Sequence, residues 1–95
     1  MLTLPIKKKW FDMIVSGEKL EEYREITPYY KQRLERYTGE TIDLILRNGY
    51  SKESKSINIT AEIKLGTGNV EWGAIKNEVY FVLKIIKIGG LKWYI

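Results

Sequence analysis

The chain contains no cysteine and no histidine. The first absence excludes a disulfide framework and thiolate chemistry. The second excludes a Ser-His-Asp triad and a histidine general base, and together they exclude a zinc site. Any catalysis falls to Lys, Glu, Asp, Tyr, Ser, Thr or Arg. Proline is almost missing, with only Pro5 and Pro28, and no stretch has the composition of a linker, a repeat or a low-complexity tract. Long hydrophobic runs are absent too. The longest, residues 79–83, stops at Lys84, far short of the ~20 residues a spanning helix needs, so no membrane partner is expected. The first residues run directly into Lys7, Lys8 and Lys9 rather than into the apolar segment of a signal peptide. A cytoplasmic location is therefore expected.

What is present suits one small globular domain over residues 1–95. The chain is 44% hydrophobic, 13% aromatic and 29% charged. That is too apolar and too aromatic for a disordered chain, and long enough for one core but not two. Sixteen basic and twelve acidic residues leave a net charge of +4, a mild lean toward polyanionic partners. No metal and no cofactor is expected.

Periodicity gives the elements. Residues 2–6 read as a short strand. Trp10, Phe11, Ile14 and Val15 fall at helical spacing, and Gly17 supplies a stop. Residues 19–26 alternate like a strand. Thr27-Pro28 is a cap followed by a proline suited to the first helical position; Tyr30, Leu34 and Tyr37 form that helix's apolar face, ended by Gly39. Residues 41–47 read as a buried strand and Asn48-Gly49 as a turn, followed by a polar loop. Ile57, Ile59, Ala61, Ile63 and Leu65 alternate with polar residues, which defines a strand with one dry face. A glycine-bearing loop at residues 66–73 precedes a last long strand, residues 79–88. Gly89-Gly90 reads as a turn, and residues 91–95 as a closing strand. The predicted fold is α+β: a small mixed β-barrel of five or six strands with two flanking helices.

Residues 17–24, Gly-Glu-Lys-Leu-Glu-Glu-Tyr-Arg, are the most informative stretch. On a strand, Leu20, Glu22, Arg24 and Ile26 share one face. A dry face does not carry an acid and an arginine unless they are paired, because a buried lone charge costs several kcal/mol. Either the face opens into a cleft where Arg24 offers its planar fork to a ligand, or Glu22 and Arg24 neutralise each other inside. Lys19 stands where it can reach the same cleft from the rim. Arg47 and Asn48 end a strand, where the strand would fix them toward a ligand, although Asn48-Gly49 also serves as a plain turn. Trp72, in a polar loop, is placed to lid the cleft and stack on a base. The mixture of Tyr29, Tyr30 and Tyr37 with Lys31, Arg33 and Arg36 has the composition of a base-stacking platform, and equally that of an amphipathic helix.

Pro5-Ile6, Trp10-Phe11, Ile14, Ser16 to Lys19 and Glu22 to Arg24 together resemble the ASCH domain family of the PUA-like superfamily. Its mark is a short helix followed by G-x-K-x-x-E-x-R, which Gly17, Lys19, Glu22 and Arg24 match. Arg47 to Tyr50 and the loop from Gly66 to Gly73 look like the small bacterial and prophage members. The resemblance implies a PUA-like barrel with a cleft lined by the motif, and RNA, a nucleotide or a modified nucleoside as partner. It implies a ligand-binding set of Lys19, Glu22, Arg24, Arg47, Asn48 and Trp72. Some relatives are enzymes, N4-acylcytidine amidohydrolases that use a lysine, a threonine and a glutamate, or ribonucleases. By that analogy Lys19 and Glu22 are the catalytic candidates. Glu22 replaces the catalytic threonine, and Glu71 is a candidate for the distant glutamate. Lys19 has Glu18, Glu21 and Glu22 within three residues, which favour its protonated form and so favour binding over catalysis. Three readings follow: a binding module, an enzyme in the same cleft, and a protein-binding prophage protein that keeps the motif for folding.

Overall fold

Period-two burial builds the sheet. In β4 (Ser56–Thr67) Ile57, Ile59, Ala61 and Ile63 are buried, while Asn58, Thr60, Glu62 and Lys64 are half exposed. Each buried isoleucine contributes about 1.5–3 kcal/mol of transfer free energy. Leu44 and Leu46 of β3 (Thr41–Asn48) and Phe81 and Leu83 of β5 (Val79–Lys92) face the same core, joined by Leu4 and Ile6 of β1 (Thr3–Ile6). The fifth strand, β2 (Glu21–Arg24), pairs with the middle of β5. The computed structural model describes residues 1–51 and 53–92, with 90–92 described as backbone.

The five strands lie in the order β1-β3-β4-β5-β2. The β1–β3 pair is parallel and the others antiparallel. The fold is α+β, a mixed sheet curled into a half-barrel with two helices. Helix α1 (Lys8–Val15) places Phe11 and Ile14 in the core with Trp10 packed against it, leaving Val15 exposed. Helix α2 (Pro28–Leu34) starts as its sequence predicts: the Thr27 side chain accepts the Tyr30 N–H at 3.3 Å, and Pro28 follows in the first turn. It buries only Leu34 fully and tightens into a single 3-10 turn, Glu35–Tyr37. Among the described residues no helix is long and apolar enough to cross a membrane.

Two features differ from the sequence reading. The strand predicted over residues 19–26 is only Glu21–Arg24, because the chain before it is still tied to α1, with Lys19 N–H donating to Met13 O at 2.9 Å. Gly89-Gly90 is not a turn: β5 continues through it to Lys92, with Ile57 opposite Leu91. The glycine serves a close approach instead. A Cβ on Gly89 would lie 3.2 Å from the Asn58 backbone oxygen, beside a shift in the β4–β5 register. Leu91 and Lys92 therefore extend β5, and residues 93–95 of the predicted closing strand lie outside the described residues.

The outer strands β1 and β2 do not pair with one another. Their gap is the open side of the half-barrel, and the motif residues lie in it.

Candidate functional site

β2 alternates strictly. Glu22 and Arg24 point inward and are 6% and 8% exposed, whereas Glu21 and Tyr23 are only half buried on the other face. Two charges with so little solvent persist only if paired, and they are. Arg24 Nε and Nη2 both donate to Glu22 Oε2, at 3.0 and 2.7 Å. The remaining guanidinium contacts reach across the gap: Nη2 donates to Pro5 O on β1 at 2.8 Å, and Nη1 donates to the Tyr30 hydroxyl of α2 at 3.0 Å. Of the alternatives posed by this face, the pairing is present, and the pair also borders a cavity. Glu22 orients Arg24.

Lys19 is placed differently from a rim residue. It follows α1 after Gly17, whose φ of +83° turns the chain, and its side chain is fully buried. Its ammonium lies 3.2 Å from Glu22 Oε1 and donates to Trp72 O at 2.9 Å and to Glu21 O. Burial pushes its pKa below the ordinary value of 10.5, while the Glu22 carboxylate works against that shift. Three acceptors face its three donors, which offsets part of the cost of burying the charge. The result is a buried set of two cations and one anion, Lys19–Glu22–Arg24, with Glu22 between.

The cleft above this set has a volume of about 470 Å³. Glu22 and Arg24 form part of its lining, as do Trp10, Tyr30, Asn48 and Trp72. Lys7 and Lys8 stand at the rim, and Lys8 is committed to Asp12 at 2.6 Å. Trp72 sits on a 3-10 turn, Val70–Trp72, whose start is capped by Asn69: its side-chain oxygen accepts the Glu71 N–H at 2.9 Å. This loop is tied down from below. Lys19 holds the Trp72 carbonyl, and the Tyr23 hydroxyl accepts the Asn69 N–H at 2.8 Å while donating to Glu21 at 2.8 Å. Burial, foremost, pushes the Tyr23 phenol up to about 12. Gly73, at φ +100°, lies flat on the Trp10 ring, where a Cβ would come within 3.0 Å.

Of the residues singled out from sequence, the structure brings Glu22, Arg24, Asn48 and Trp72 to one cleft and sets Lys19 beneath it. Arg47 is half buried on β3 and does not line the cleft. Glu71 is exposed and lies outside the lining. The tyrosine cluster is partly occupied by its own arginines: Arg33 stacks on the Tyr29 ring at 3.5 Å and Arg36 on the Tyr37 ring at 4.9 Å, while Tyr30 turns to Arg24 and Tyr29 remains exposed. Sequence reasoning missed Tyr30 as a partner of Arg24, and Pro5, whose carbonyl meets a side chain 19 positions away. No local pattern signals either contact. Among the described residues no group of three or more carboxylate, histidine or cysteine side chains could hold a metal ion. Comparison with protein-family models, with curated proteins and with solved structures returns no match.

Proposed function

We propose that the protein is a binding module for RNA, or for a nucleotide or modified nucleoside, with the cleft over Glu22 and Arg24 as its site. The observation that carries this reading is the buried Lys19–Glu22–Arg24 set, two cations to one anion, at the base of a cavity lined by Trp10 and Trp72. A fixed positive excess attracts phosphate or base oxygens, and indole rings stack on bases whatever their identity. The volume lies within the ~300–1,000 Å³ of small-molecule sites. The resemblance of the Gly17, Lys19, Glu22 and Arg24 pattern to the ASCH family points the same way. Binding is favoured over catalysis because the Lys19 ammonium is enclosed by three acceptors and Glu22 is held by both cations, which leaves neither free to act as base or nucleophile.

An amide NMR titration with a short cytidine-containing single-stranded RNA at low salt tests this. Shifts should cluster at Glu22, Arg24, Asn48 and Trp72 and weaken as salt is added. Trp72→Ala should weaken binding by roughly 1–3 kcal/mol, the range for one stacked base. Shifts scattered over the surface lysines alone would count against the cleft.

A further inference from the structure

The hydrogen-bonding inventory of the cleft narrows the ligand, on the premise that the cleft binds a nucleoside-type molecule at all. Glu22, the one buried carboxylate in the lining, is already committed: Oε1 faces Lys19, and Oε2 accepts twice from Arg24. It has little left for an amino group of a guest. Glu25 also lines the cleft, but it lies past the end of β2 and is exposed, so its carboxylate stays solvated at the rim. The groups that remain are mostly donors. Arg24 uses four N–H groups on Glu22, Pro5 and Tyr30, so one Nη1 N–H of the five is open. Tyr30 accepts from Arg24, which leaves its own proton to donate. Lys7 adds an ammonium at the rim. Asn48 and the exposed Glu25 carboxylate at the rim are the side-chain acceptors beside them.

Away from the rim, the inner end of the cleft offers donors from Arg24 and Tyr30 over a buried cationic excess, which matches a guest rich in acceptors and negative charge. We propose that the ligand is a phosphorylated nucleoside, held through a phosphate monoester by Arg24, Tyr30 and Lys7, with its ring beside Trp72, and not a free base or nucleoside. The size agrees: about 470 Å³ suits one nucleotide unit, whereas a sequence-blind single-strand groove spans at least about four.

Calorimetry at low salt with uridine 5′-monophosphate, uridine and inorganic phosphate tests this. The nucleotide should bind about tenfold or more tighter than the nucleoside, and tighter than phosphate alone. Lys7→Ala, an exposed position whose loss spares the core, should reduce that preference; Arg24→Ala is less decisive because it also breaks the buried pair. Equal binding of uridine and its monophosphate would overturn this inference while leaving the binding reading intact. So would phosphate competing as well as the nucleotide. No binding of any of these, or of RNA, would overturn both. A 5′-phosphorylated dinucleotide distinguishes two sources of the same chemistry. Binding equal to the mononucleotide supports the phosphate grip at an RNA 5′ end, and weaker binding supports it for a free nucleotide.

Discussion

Glu22 is the residue on which its two neighbours depend. Removing its charge leaves Lys19 and Arg24 buried without a counter-ion, so Glu22→Gln should cost about 3–5 kcal/mol in urea denaturation. Lys19→Met should cost less, since Glu22 keeps Arg24. The Tyr23 phenol gives a second residue-level test. Its folded value of about 12 stands above the ordinary 10.0, so the folded state holds that proton more tightly. Its contribution is intact below about pH 10 and is lost as pH rises through about 12. Tyr23→Phe should flatten that alkaline loss in denaturation series from pH 9 upward. Lys19 acts with the opposite sign: its lowered value means the unfolded chain binds the proton better, so its contribution rises with pH toward 10.5. The sequence narrowed Glu22 and Arg24 to two resolutions, mutual pairing or a ligand cleft, because an acid and an arginine on one strand face have few others, but it did not choose between them. The burial of Lys19 was not, because its partner Trp72 O is 53 positions away and a main-chain acceptor has no sequence signature.

At the scale of elements, the loop bearing Trp72 depends on close packing against β2. A Cβ on Gly68 would meet the Tyr23 ring at 2.6 Å and the Ala74 Cβ at 2.7 Å. Gly68→Ala should therefore lower stability by about 1–3 kcal/mol, the usual cost of overpacking, and should shift the Trp72 indole resonance by displacing the loop. Strands and helices were largely legible. The alternation from Ile57 to Ile63 fixes the dry face of β4, and Thr27-Pro28 marks the start of α2. The strand over residues 19–26 was read too long, and Gly89-Gly90 was misread as a turn, where local turn chemistry gave way to a tertiary demand for room against Asn58. A single sequence records the glycine but not the neighbour that requires it.

For the whole molecule, protection should follow the sheet order. β3, β4 and β5 share the longest pairings, whereas β1 and β2 are four residues each and pair on one side only. Native-state hydrogen exchange should show the slowest amides at residues 57–63 and 81–83, near the global unfolding free energy, with β2 exchanging through smaller openings. Uniform protection across all five strands would show instead that the side-chain bridge between β1 and β2 locks the sheet as one cooperative unit.

The Arg24 bridge also bears on how this protein meets copies of itself. An uncovered strand edge invites another chain to add to it. On β1 the Pro5 carbonyl points outward, toward Arg24, so the nitrogen of the same residue faces outward too, and proline has no hydrogen there to give. One donor is missing and the adjoining acceptor is occupied, which leaves a foreign strand no ladder to climb at the middle of this edge. The contact that shapes the floor of the cleft thus also discourages strand exchange and fibril growth through β1.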